Sequence, residues 1–96
     1  MDIQQSWSEF FDRPFPDGWA GEEVNGVCVT SVDSFAAGCI DTFLSNGGTL
    51  DSHRIDVLRR CATDLARVLP QLDDEVRDYF GHLNDLITAV LKNLER

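Results

Sequence analysis

Two apolar series in the second half of the chain leave little freedom in what it can fold into. From Ile55 the series continues at Leu58, Ala62, Leu65, Leu69 and Leu72, and from Val76 at Phe80, Leu83, Ile87, Val90 and Leu94. Steps of three and four residues put each series on one face of an α-helix. Cys61, Val68, Tyr79, Leu86 and Leu91 widen both stripes beyond a coiled-coil seam, so each helix is expected to bury a broad face in a bundle. Asp51, after the break at Asn46-Gly47-Gly48-Thr49, is placed to cap the first of these helices.

Pro70 separates the two series. Inside a helix it would forgo the bond to the Ala66 carbonyl and clash with the preceding turn, at about 3 kcal/mol. Asp73, Asp74 and Glu75 then offer a cap and first-turn carboxylates that suit the positive end of a new helix dipole. The sequence therefore predicts helices over 52–69 and 73–94, joined as an antiparallel hairpin turning at Pro70. A single long helix kinked at Pro70 is the alternative, because Leu69, Leu72, Val76 and Phe80 stay nearly in register.

A third apolar face is formed by Val32, Phe35, Ala36, Cys39, Ile40, Phe43 and Leu44, which predicts a helix over 31–46. Ser31 or Asp33 can cap its start, and Asn46-Gly47-Gly48 can end it. Ahead of it, the stretch Ser6–Asp12 suits a short helix with Trp7, Phe10 and Phe11 on one side. Asn25-Gly26 between Val24 and Val27 resembles a hairpin turn with very short strands. Residues 12–30 read as mostly irregular. The expected fold is all-α: one domain over 1–96 with three main helices and an aromatic-rich, mostly irregular amino-terminal arm packed on them.

Charge narrows the function classes. Seventeen acids face eight bases, a net of −9. Residues 1–50 hold eight acids and only Arg13 as a base, whereas residues 51–96 hold nine acids and seven bases. Affinity for phosphate is carried by Lys and Arg, so this balance disfavours direct nucleic-acid binding and an anionic membrane surface, and points to a basic protein partner. No run of eighteen apolar residues suggests a transmembrane span. The first ten residues have neither a basic leader nor an apolar run, and Cys28, Cys39 and Cys61 are odd in number without C-x-x-C spacing. Both features suit reduced thiols in a cytoplasmic protein.

Motifs for catalysis or cofactor binding are weak. His82 has Asp78 four residues before it and Asp85 three after, a spacing that serves surface ion pairing more often than a catalytic or metal site. His53 lies beside Ser52 and before Asp56, but adjacent helical residues point apart, so a triad would need partners from elsewhere. The cysteines and histidines lack paired ligand spacing, and Asp73–Asp78 does not follow the calcium-loop pattern. The expectation is a non-enzymatic protein without metal or cofactor.

Aromatic residues cluster where bases are fewest. Trp7, Phe10, Phe11, Phe15 and Trp19 fall in the first nineteen residues, beside Glu9, Asp12, Asp17, Glu22 and Glu23. Trp7, Phe10 and Phe11 are expected to complete the core. Pro14 and Pro16 stiffen the chain around Phe15, and Asp17-Gly18 suits a turn, so Phe15 and Trp19 can serve as anchors with Asp17, Glu22 and Glu23 as a carboxylate rim. The same loop could instead fold onto its own core. The function expected is an acidic module that binds and inhibits a basic protein, for example a bacterial immunity protein neutralising a toxin such as a nuclease. The alternative is a homodimeric helical adaptor, paired through the hairpin helices around Tyr79, Leu86 and Leu91.

Overall fold

A computed structural model describes residues 1–95. Among them are four α-helices and one two-stranded ribbon: α1 (Ile3–Phe11), β1 (Glu23–Val24), β2 (Val27–Cys28), α2 (Val29–Ser45), α3 (Ser52–Val68) and α4 (Asp74–Leu94). The fold is mostly helical, as the periodicity predicts, but the count of main helices is four rather than three. The amino-terminal arm is not mostly irregular. Asp2 starts α1 by accepting a bond from the Gln5 amide, and Trp7 and Phe10, three residues apart, are buried on one face of it.

Residues 12–30 are also more regular than the sequence suggests. Val24 pairs with Val27 and Glu23 with Cys28 across a two-residue turn. Asn25 and Gly26 have φ of 51° and 79° there, the left-handed pair of a type I′ turn, which Asn and Gly adopt at least cost. Asn25 also donates its side-chain amide to the Arg67 carbonyl at 2.9 Å, fixing the ribbon to the end of α3. Helix α2 follows β2 directly and so starts at Val29 instead of residue 31. Cys28 occupies its N-cap without a side-chain bond, while Ser31 and Asp33 lie inside the helix. Its end is closed by the Gly48 amide, which donates to the Phe43 carbonyl at 2.8 Å.

Asp51 caps α3 by accepting from the Arg54 amide. Pro70 falls in a single 3-10 turn, Leu69–Gln71, after which α4 packs back against α3, so the long kinked helix is not formed. Asp73 is the N-cap residue of α4, but its side chain makes no capping bond.

The core runs from Ile40 through Leu58 and Leu65 to Phe80, Leu83, Leu86 and Ile87, all nearly inaccessible to solvent. Cys39 and Cys61 belong to it. Two aromatics depart from the expected core: Phe11 is 73% exposed and Phe35 60%. Phe11 is one residue beyond Phe10, about 100° around the helix, and so misses α4. Tyr79 and Leu86 are buried and Leu91 half-buried within the single chain. Helix α1 covers this part of α4: Phe10 lies 4.8 Å from the Tyr79 ring.

Candidate binding surface

The loop after α1 is held by its one cation. Arg13 reaches Asp78 on α4 at 3.0 Å, places a second guanidinium nitrogen 3.3 Å from His82 Nδ1, and lies 5.6 Å above the Tyr79 ring. Phe15 follows and meets Tyr79 and Phe80 edge-on, at 5.7 and 6.0 Å between ring centres. The Trp19 amide then bonds to the Pro16 carbonyl and the Glu22 amide to the Trp19 carbonyl. These are successive turns, with Gly18 and Gly21 supplying the positive φ that a type II turn needs at its third residue. The Gly21 amide bonds to Thr30 Oγ1 at 2.8 Å, closing the loop onto α2.

The five residues singled out from the sequence therefore divide. Phe15 and Trp19 are half-buried and packed against the core of their own chain. Asp17, Glu22 and Glu23 are exposed. Phe15 and Asp17 line an open groove of about 590 Å³ with Arg13 and Pro14 from the same loop and Glu75, Val76 and Asp78 from the start of α4. Trp19, Glu22 and Glu23 do not line it. Glu75 was not singled out, because its proximity to the loop depends on α4 folding back at Pro70.

A second depression, about 530 Å³, opens between α1 and α2, with Phe11, Trp7, Arg13, Asp33, Asp41 and Tyr79 in its walls. The Phe11 ring centre is 5.9 Å from that of Trp7, which supports it from below. Asp33 is half-buried and accepts a hydrogen bond from the Tyr79 hydroxyl at 2.7 Å. Burial raises the Asp33 carboxyl above its usual range, partly offset by that bond. Phe11 and Asp41 are the binding candidates that sequence reasoning missed. The helical angle between Phe10 and Phe11 was the available signal.

His82 is not paired with Asp78 or Asp85 in the structure. Asp78 is taken by Arg13, and His82 Nε2 lies 3.0 Å from Ser6 Oγ. A guanidinium can only donate, so His82 Nδ1 accepts from Arg13 and, in the neutral ring, the proton sits on Nε2 and is donated to Ser6. A histidine that activates a serine needs the reverse: a bare Nε2 toward the hydroxyl and a carboxylate behind Nδ1. In this arrangement the pair joins α1 to α4 and does not prepare Ser6 for attack.

The three thiols have different surroundings. Cys28 is lowered from its ordinary value by hydrogen bonds from Ser31, whereas burial raises Cys39 and pushes Cys61 up to about 11. Among the described residues no group of three or more His, Cys, Asp or Glu side chains is arranged to hold a metal ion, and no helix is long and apolar enough to cross a membrane. No family model matches the chain, and neither the curated proteins nor the solved structures include a match to it.

Proposed function

We propose that this chain is a non-enzymatic binding module whose acidic face engages, and inhibits, a basic partner protein. The observation that carries the reading is Phe11: a large aromatic left 73% exposed, backed by Trp7, in a depression whose walls carry two carboxylates, Asp33 and Asp41, against one cation, Arg13. An aromatic anchor within a carboxylate rim is the composition of a binding hot spot for a cationic surface. Asp17 and Glu75 extend the acidic character around the loop, where Asp78 is paired with Arg13, and Phe15 is the apolar wall of that groove. Asp17, Glu22 and Glu23 supply the field that steers association, while Phe15 and Trp19 act chiefly by holding the loop in place.

A protein that covers a cationic active site, as an immunity protein covers a nuclease toxin, would need this pairing of a net charge of −9 with an exposed aromatic. The proton on His82 Nε2 favours a binding role over an acid–base one. With a captured partner, Glu22→Lys/Glu23→Lys lowers the association rate about tenfold at low salt and flattens its salt dependence. Phe11→Ala instead raises the dissociation rate. Unchanged kinetics in both variants would contradict the reading.

A further inference from the structure

Helix α3 reverses the charge of the molecule. It carries Arg54, Arg59, Arg60 and Arg67 against Asp56 and Asp64, a net of +2 in a chain of −9. Arg54 pairs with Asp51 at 2.7 Å and Arg59 with Asp56 at 3.8 Å. Among the described residues Arg60 and Arg67 have no carboxylate within ion-pair distance, although Asp64 lies between them on the same face.

Both free arginines border the groove between α2 and α3. On α3 its wall is His53, Val57, Arg60, Asp64 and Arg67, in steps of four and three, which is one straight stripe along the helix. Facing it are Cys28 at the end of β2 and, on α2, Ser31 and Phe35, continued by Gly38 and Thr42. Two depressions of about 400 and 380 Å³ share Phe35, His53 and Val57, so they adjoin along the α2–α3 seam with Phe35 between them. Only the ribbon, α2 and α3 contribute to its walls; α1 and α4 do not.

We infer that this groove is a second binding site, for an acidic amphipathic helix of a partner protein, distinct from the acidic face proposed above and independent of it. The groove is elongated, and two packed helices with matched three-and-four spacing present the ridges into which a third helix fits. Phe35, 60% exposed, with half-buried Val57 beside it supplies the apolar contact. Arg60 and Arg67 are seven residues apart, about 10.5 Å along the axis, and so match carboxylates one heptad apart on the incoming helix. A compact anion would reach one of them. The acids elsewhere on the chain repel such a helix at long range, but a Debye length of about 8 Å at physiological salt screens them while the arginines are in direct contact.

The test uses a synthetic amphipathic peptide of about 18 residues, with leucines on an i, i+3, i+4, i+7 face flanked by glutamates a heptad apart, and an otherwise identical peptide with lysines for the glutamates. Both are titrated into the isotopically labelled protein at 0.15 M salt. The glutamate peptide should produce saturable amide shifts at Ser31, Phe35, Val57, Arg60 and Asp64, and bind about tenfold more tightly than the lysine peptide. Arg60→Glu/Arg67→Glu should abolish that preference, and Phe35→Ala should weaken binding of the glutamate peptide severalfold. All three positions are exposed, so the fold is expected to survive, which circular dichroism checks. Absence of saturable binding, shifts confined to α1 or residues 13–23, equal or tighter binding of the lysine peptide, or a dimer that occupies the groove would each overturn the inference.

Discussion

The Tyr79 hydroxyl donates to Oδ1 of Asp33 at 2.7 Å, tying α4 to α2 at the wall of the depression that exposes Phe11. Because burial raises the Asp33 carboxyl above its ordinary value of 3.8, the folded state holds its proton to higher pH than the unfolded state does. The contribution of this group to stability is therefore fully present below pH 3.8 and declines as pH rises through the folded value. Asp33→Asn keeps an oxygen to accept from Tyr79 and removes the titration. Its stability relative to the parent protein should increase as pH is raised from 3 to 7, followed by urea denaturation at about five pH values across that range. Asp33→Ala leaves the Tyr79 hydroxyl without its acceptor and should cost about 1–2 kcal/mol at neutral pH.

At the alkaline end the sign is the same. Burial pushes the Cys61 thiol from 9.0 to about 11, and burial together with the Asp33 bond holds Tyr79 neutral well beyond its ordinary 10.0. Both groups ionise first in the unfolded chain, so their contribution to stability should be constant up to about pH 9 and fall between pH 9 and 11. Cys61→Ala should shallow the first part of that fall, as measured by thermal unfolding in a pH series.

Thiol reactivity should separate the cysteines. Cys28 is half-buried with its thiol lowered by Ser31, whereas Cys39 and Cys61 are buried and raised. Alkylation with iodoacetamide at pH 7.5, followed by mass spectrometry, should therefore modify one site quickly and two only on unfolding. Ser31→Ala should slow the fast site.

Arg13 is expected to organise the loop more than to stabilise the fold. Its ion pair with Asp78 is screened, because Asp78 is 78% exposed. Its loss and that of the contact with Tyr79 should together cost about 1 kcal/mol in Arg13→Ala. Hydrogen exchange in the same variant should accelerate at residues 19–22, where the turns depend on Phe15 staying on Tyr79 and Phe80. Nitrogen NMR of His82 should show the proton on Nε2. A proton on Nδ1 of the neutral ring would contradict the hydrogen-bond assignment.

Helices α3 and α4 were legible because their three-and-four periodicity is long and because Pro70 and Asp51 act locally. The ribbon was legible at Asn25-Gly26 for the same reason, although its strands are too short for any periodic signal. Helix α1 was harder. Nine residues give little periodicity, and its stability comes from Phe10 packing on Tyr79 nearly seventy positions away. The candidate surface was read only in outline. Charge asymmetry and aromatic clustering are local properties and pointed to the first half of the chain. Which rings turn outward depends on tertiary placement: Phe15 has α4 to pack on, and Phe11 does not.

The acidic face around Phe11 is proposed to bind a basic protein. That binding is tested most directly by capture on the tagged chain from a lysate of the source organism in low salt, run in parallel with Phe11→Ala/Asp41→Lys. One basic protein is expected in stoichiometric yield on the parent chain, released by a salt gradient and absent from the variant. Recovery of no basic partner, or equal recovery on both chains, would contradict the proposal.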